Sequence, residues 1–302
     1  MTPPSKRLTA ELLLFATTFI WSSTFVALKW GLEELSPLWL MAWRFSVATA
    51  AGVAVLLWQR DRPTRAALRD GHLLGLLLFT GFALQTTGLR YTTASKSAFI
   101  TGLMVVFTPL VQYLWERRPP TRANLIGVAI VIGGLWLLTD PLQSGPGGFN
   151  LGDAMTLLCA VAFAGYIVRL DQTSPRHPIM PFTIIQITSA ALYSWAGALL
   201  LEAPTAPHSG TSLGVIIYLA LAATLLTGYL MTRYQRDTTP TRAVIIYTVE
   251  PVWASLMAAA LLGERLTAVA MAGGGLILAG VLVSQLADGN KDRSPFSVHS
   301  SQ

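Results

Sequence analysis

The sequence predicts an all-α integral membrane protein with ten transmembrane helices arranged as two inverted-topology five-helix repeats. Three observations predict it. Of 302 residues, 53% are hydrophobic and 12% charged, with a mean hydropathy of +0.54, whereas a soluble domain carries about 25% charged residues. The apolar residues gather into about ten runs, each near the ~20 residues that cross a bilayer core. The second half also repeats the first. Thr92, Thr93 and Lys96 are answered by Thr238, Thr239 and Arg242, an offset of 146 (239 − 93). Thr121, Gly127 and Gly134 match Thr267, Gly273 and Gly280 at the same offset. Five spans per copy is an odd number, so the second copy enters the membrane from the opposite side. Inverted repeats with a solute site at their interface are common among secondary transporters.

The spans run over 9–30, 37–58, 71–90, 95–115, 122–139, 151–169, 179–201, 211–233, 241–262 and 267–286. Lys6 and Arg7 precede the first span in the manner of a signal peptide. The apolar stretch continues past Trp21 towards Lys29 without a small-residue cleavage pattern, so the span is retained. Pro37 opens the second span, and Pro178 and Pro181 the seventh, where proline is tolerated. In the fifth and tenth spans Gly127 and Gly134, and Gly273 and Gly280, stand seven apart on one face. Small residues let membrane helices approach closely, which makes these two spans packing helices. Pro141, Pro146, Gly147 and Gly148 mark the joint between the copies. The chain therefore divides into a cytoplasmic N-terminus (1–8), a first repeat (9–139), a connecting loop (140–150), a second repeat (151–286) and a disordered cytoplasmic tail (287–302).

The cations set the orientation. With the N-terminus in the cytoplasm, 16 of the 21 Lys and Arg residues fall on the cytoplasmic side, Arg60, Arg62, Arg65 and Arg69 among them. Only Lys29, Arg90, Lys96 and Arg265 fall outside, and Arg44 lies within a span. This is the positive-inside pattern, and it places both termini of a multi-pass inner-membrane (plasma-membrane) protein in the cytoplasm. The net charge of +6 forms no basic stripe with interleaved aromatics, so no nucleic-acid partner is expected. The single Cys159 permits no intrachain disulfide. Oligomeric state is open between monomer and homodimer, since one chain already holds both halves of a cavity.

Ionisable side chains inside a bilayer are costly, about 2.5–3.5 kcal/mol on insertion scales, and so mark candidate sites. Glu250 stands near the middle of the ninth span, directly before Pro251. A carboxylate there suits a proton or a substrate ammonium, and equally a structural bond to a neighbouring helix. Arg44, about two turns into the second span, suits a substrate carboxylate, a counter-ion role towards Glu250, or packing between repeats. Its counterpart in the second copy is the uncharged Gln186 (186 − 44 = 142), so the site is asymmetric. Gln85, Thr101, Thr108, Gln112, Tyr247 and Thr248 supply uncharged hydrogen-bonding groups, for which interhelical bonds are the alternative reading. Trp21, followed by Ser22-Ser23-Thr24, and Phe163 to Tyr166 at the matching place in the second copy suit an aromatic cavity wall or plain packing. Lys96, near the outer end of the fourth span, suits snorkelling to the interface. Together these residues give Glu250, Arg44, Gln85, Trp21, Tyr166 and Tyr247 as candidate substrate-binding residues, with no catalytic residue.

Other chemistries lack their motifs. There is no G-x-x-x-x-G-K-[ST] for an ATP-driven pump and no H-E-x-x-H. The four histidines fall in loops, tails or at helix ends on these boundaries. No metal, cofactor or reactive cluster at one face is expected, which argues against a membrane enzyme.

The pattern resembles the EamA-type transporters of the drug/metabolite transporter (DMT) superfamily, with a YddG-like ten-helix architecture. The residues that carry the resemblance are Trp21 to Phe25, Pro37 with Arg44, Gly88 to Thr101, Glu250-Pro251, and Gly263-Glu264-Arg265-Leu266-Thr267 through Gly273. It covers about residues 8–286. The first copy departs from the pattern: Arg118 stands at the Glu264 position, and Pro109 is one helical turn out of register with Pro251. The resemblance implies an inner-membrane carrier of small metabolites, including amino acids and some drugs, working by alternating access. Export of amino acids or related amphipathic solutes is the expected activity. A multidrug exporter on the same fold is the main alternative, ahead of an integral-membrane enzyme or a non-transporting membrane protein.

Overall fold

A computed structural model describes residues 4–59, 64–117, 121–139, 148–234, 246–247 and 249–291. The described residues form helices joined by turns, with no strand among them. The helices are α1 (Pro4–Gly31), α2 (Pro37–Gln59), α3 (Arg65–Gly88), α4 (Ala94–Gly102), α5 (Met104–Glu116), α6 (Arg122–Thr139), α7 (Leu151–Thr173), α8 (Ile179–Leu201), α9 (Gly210–Ala220), α10 (Thr227–Tyr234), α11 (Glu250–Leu262) and α12 (Ala268–Lys291). Seven stretches are long and apolar enough to cross a membrane; three shorter apolar helices, Arg122–Leu138, Glu250–Leu262 and Ala268–Val283, accompany them.

Two of the long stretches are interrupted. Ala94–Trp115 is one span made of α4 and α5. It turns at Leu103, whose amide reaches back only three residues to the Ile100 carbonyl (3.1 Å). Pro109 lies six residues further on and crowds the carbonyl four residues before it. Gly210–Tyr234 is one span in which a π-helical turn, Leu221–Leu226, separates α9 from α10. The hydroxyl of Thr224 donates to the Leu219 carbonyl five residues back (2.7 Å), the register of a π-turn.

Helix ends explain where the hydropathy boundaries fail. α3 begins six residues before the apolar run, because Thr64 caps it by accepting from the Ala67 amide (3.1 Å). His72 is therefore well inside a helix instead of at its end. Its ring is bonded to Ser189 (3.2 Å) and Tyr193 (2.6 Å) of α8. Glu250 is not in the middle of a helix. It is the first residue of α11, with Pro251 in the opening turn, where the missing N–H costs no helical bond. The last helix continues past residue 286 to Lys291. Arg60, Arg118, Arg242, Thr238, Thr239 and Thr248 lie outside the described residues.

Close contacts run between the halves. α6 packs on α12 through glycine: a Cβ on Gly134 would stand 2.7 Å from the Gly273 carbonyl oxygen, and one on Gly280 2.8 Å from that of Gly127. These two helices are the fifth and tenth spans of the sequence reading, and they pack against each other. α3 lies against α7 and α8 in the same way. A Cβ on Gly75 would meet Ser189 at 2.4 Å, and one on Gly81 would meet the Phe163 ring at 2.4 Å. In a bilayer such close packing is the main force between helices, because lipid tails are as apolar as leucine.

Candidate functional site

The six residues named from sequence, Trp21, Arg44, Gln85, Tyr166, Tyr247 and Glu250, all line one cavity of about 630 Å³. Its wall comes from both halves: α1, α2, α3 and the α4/α5 span on one side, and α7, α10, α11 and Tyr247 on the other. Leu78, Phe82, Met104, Phe163, Ile167 and Met231 add apolar surface, and Thr24 and Thr101 small hydroxyls.

Glu250 is 6% exposed. Its backbone carbonyl accepts from the Ser22 hydroxyl of α1 (3.0 Å). Its carboxylate has no hydrogen-bond or ion-pair partner among the described residues. An ionised carboxylate in such a place is costly unless a cation or proton joins it. Gly102 of α4 faces Pro251: a Cβ there would lie 3.3 Å from the proline ring. The small residue lets α4 and the start of α11 meet beside the cavity.

Arg44 is fully buried. Nε donates to Thr224 Oγ1 (2.7 Å), and Nη2 donates to the Ala223 carbonyl (3.3 Å). Both acceptors belong to the π-turn. The guanidinium lies 4.4 Å from the centroid of Phe82 and 5.5 Å from that of Phe45, within cation–π range. Nη1 has no partner. No ion pair joins Arg44 to Glu250, so of the three sequence readings the counter-ion role is absent here and the packing role between halves is occupied.

The remaining polar groups differ in how they are satisfied. Gln85 Nε2 donates to Thr101 Oγ1 (3.1 Å), an interhelical bond. Tyr166 donates to Gln186 Oε1 (2.8 Å), so the counterpart of Arg44 is used to fix a lining residue. Thr108 bonds only its own helix, at the Met104 carbonyl (2.7 Å). The Tyr247 ring lies 5.8 Å from that of Trp21 at a tilt, while its hydroxyl is buried without a hydrogen-bond partner among the described residues. Lys96 does not snorkel. It is 7% exposed, donates to the Gly148 carbonyl (3.2 Å) and lies 3.8 Å from the Asp153 carboxylate. A fixed partner in the other half outweighs the reach to the interface.

Sequence reasoning missed Leu78, Phe82, Met104, Ile167 and Met231. The signal was present for some of them. Leu78 and Phe82 stand seven and three residues before Gln85, on its helix face. Phe163, Tyr166 and Ile167 share a face in the same way. Met231 carried no such signal, because the π-turn shifts the face of everything after it.

Comparisons place this arrangement among known proteins. Residues 8–140 and 150–286 match the EamA-like transporter family. An uncharacterized transporter of Archaeoglobus fulgidus is 30% identical over 289 residues, covering 93% of this chain and 87% of the relative. A probable amino-acid metabolite efflux pump of Salmonella typhimurium is 29% identical over 90% of this chain and 93% of its own length. The uncharacterized inner membrane transporter YedA of Escherichia coli K12 is 26% identical, over 90% and 89%. A solved crystal structure superposes with a TM-score of 0.68 over 95% of this chain and 99% of that one, at 19% identity, which marks a shared fold. With both halves matched and the relatives covered nearly end to end, the chain belongs to the EamA-like transporter family.

Proposed function

We propose that this transporter exports amino acids or related amphipathic metabolites across the inner membrane by alternating access. On this reading it has ten spans in two inverted repeats, 9–139 and 151–286, with both termini in the cytoplasm. The observation that carries the proposal is the Glu250 carboxylate, without a partner among the described residues, in a mainly apolar cavity walled by both halves. A solute bearing an ammonium group and an apolar body satisfies the carboxylate and fills the rest. Rocking one half against the other would then move the site between the two faces. The metabolite-efflux name of the Salmonella relative supports the solute class. One chain supplies the whole wall, so a monomer suffices.

A second reading has its own support. The apolar lining with a lone carboxylate also suits lipophilic cationic drugs. Flux into proteoliposomes, measured with labelled amino acids and a panel of cationic drugs, separates the two. Glu250→Gln and an imposed pH gradient complete the set. The expected result is amino-acid flux that falls at least tenfold in Glu250→Gln. Flux of cations alone would favour the drug exporter, and no flux of any compound would overturn both readings.

A further inference from the structure

Three glutamates at one end of the bundle each cross from their own half to cap a helix of the other. Glu264, just after α11, accepts from the amides of Ala94 (2.7 Å) and Ser95 (3.0 Å) and from Ser95 Oγ (2.7 Å), at the start of α4. Glu202, at the end of α8, accepts from the amides of Leu38 (3.0 Å) and Trp39 (3.4 Å), in the first turn of α2. Glu34, between α1 and α2, accepts from the amides of His208 (2.5 Å) and Ser209 (3.1 Å) ahead of α9 and from Ser212 Oγ (2.9 Å). Amides in the first turn of a helix have no intrahelical acceptor, and the helix dipole favours an anion beside them.

Behind the three carboxylates lies an apolar plug. Phe25, Leu28, Leu89, Ala98, Leu219 and Ala258, again from both halves, are at most 1% exposed and pack in one cluster. The order along the chain is the same on three elements. On α4 the capped turn is followed by Ala98 and then by cavity-lining Thr101. From α11 backwards, Glu264 is followed by Ala258 and then Glu250. From α1 backwards, Glu34 is followed by Leu28 and then Thr24.

We infer that these carboxylate clasps are the closed gate of the solute pathway, and that Glu264 lets go of α4 when the cavity opens towards this end. Each clasp joins an element of one half to an element of the other at this end, and the glycine contacts that hold α6 to α12 take no part in it. Each is polar and lies at a helix end, where water replaces either partner when these elements separate while α6 and α12 stay packed. Bonds within a half, such as Lys29 Nζ to the carbonyls of Leu89 and Thr92 (both 2.6 Å), stay closed in the same motion.

The inference rests on the carrier reading, but its test uses no flux, so the two fail separately. In a Cys159→Ser background, Ala98→Cys reports on the plug and Ile277→Cys, buried between α6 and α12, reports on the fold. A membrane-impermeant maleimide is applied to the full chain in nanodiscs, with and without Glu264→Ala. The expected result is at least fivefold faster labelling at position 98 and no change at position 277. Unchanged labelling at 98 overturns the gate. Faster labelling at both positions also overturns it, since Glu264 then holds the fold and not a gate. Labelling as expected in a chain that moves no solute would remove the carrier reading alone.

Discussion

Arg44 Nε and Thr224 Oγ1 lie 2.7 Å apart, joining α2 to the π-turn between α9 and α10. The same Thr224 hydroxyl donates to the Leu219 carbonyl. One hydroxyl therefore accepts from a buried cation and completes the irregular turn. Thr224→Val keeps the shape and removes both bonds. A hydrogen bond to a charged group is worth about 1.5–3 kcal/mol, so Thr224→Val should lower stability by about that amount. Thr224→Ser should stay close to wild type. Thermal melts in detergent check this.

Gly273 is a contact no side chain can share. A Cβ there would stand 2.5 Å from the Leu138 amide and 2.6 Å from the Gly134 carbonyl. Gly273→Ala must part α6 from α12, with an expected cost of about 1–3 kcal/mol, the usual range for overpacking. Gly133→Ala, where a Cβ meets nothing within 4 Å, should be neutral and serves as the control in the same melts.

Glu34 gives a pH signature outside the membrane spans. The Ser209 hydroxyl foremost, then the His208 amide, hold its carboxyl down to about 2 from an ordinary 4.5. A depressed carboxyl contributes stability that is complete above the ordinary value and is lost as pH falls through the folded value. Wild type should therefore exceed Glu34→Gln in Tm at pH 5, and the gap should close as pH falls from 4.5 towards 2. Melts over that range check it; a gap that stays constant would mean that Glu34 makes no titrating contribution.

Tyr247 separates solute contact from packing. Its hydroxyl is buried with no partner, and an unsatisfied buried hydroxyl does not stabilise the fold. Tyr247→Phe should leave Tm unchanged or raise it. If a solute uses the hydroxyl, losing a bond of about 1 kcal/mol raises KM roughly fivefold. Flux kinetics and melts on the same variant read the two effects apart.

Much of the cavity was legible in the sequence because a bilayer leaves few reasons for a polar residue in a span. Glu250 and Arg44 stood out on that ground, Gln85 and Tyr247 as hydrogen-bonding groups within spans, and Trp21 and Tyr166 from their matching places in the two copies. What each polar group does was not legible. Arg44 suited a solute, Glu250 or packing, and only the π-turn decided which acceptors it meets. Lys96 read as a snorkelling residue because Asp153 is distant in sequence. The caps made by Glu34, Glu202 and Glu264 were invisible for the same reason: each bridges helices 164 to 178 residues apart in the chain.

The sequence alone determined the all-helical membrane class and the apolar stretches that carry it. These depend on local hydropathy and on spacing, which the bilayer reads segment by segment. The tertiary structure alone decided which face of each helix meets the cavity, where Arg44 finds its partners and which helix starts Glu34, Glu202 and Glu264 cap. Those outcomes depend on breaks at Leu103, at the π-turn and at Glu250. Each break rotates the helix face beyond it, so a pattern read at constant helical period loses its register there.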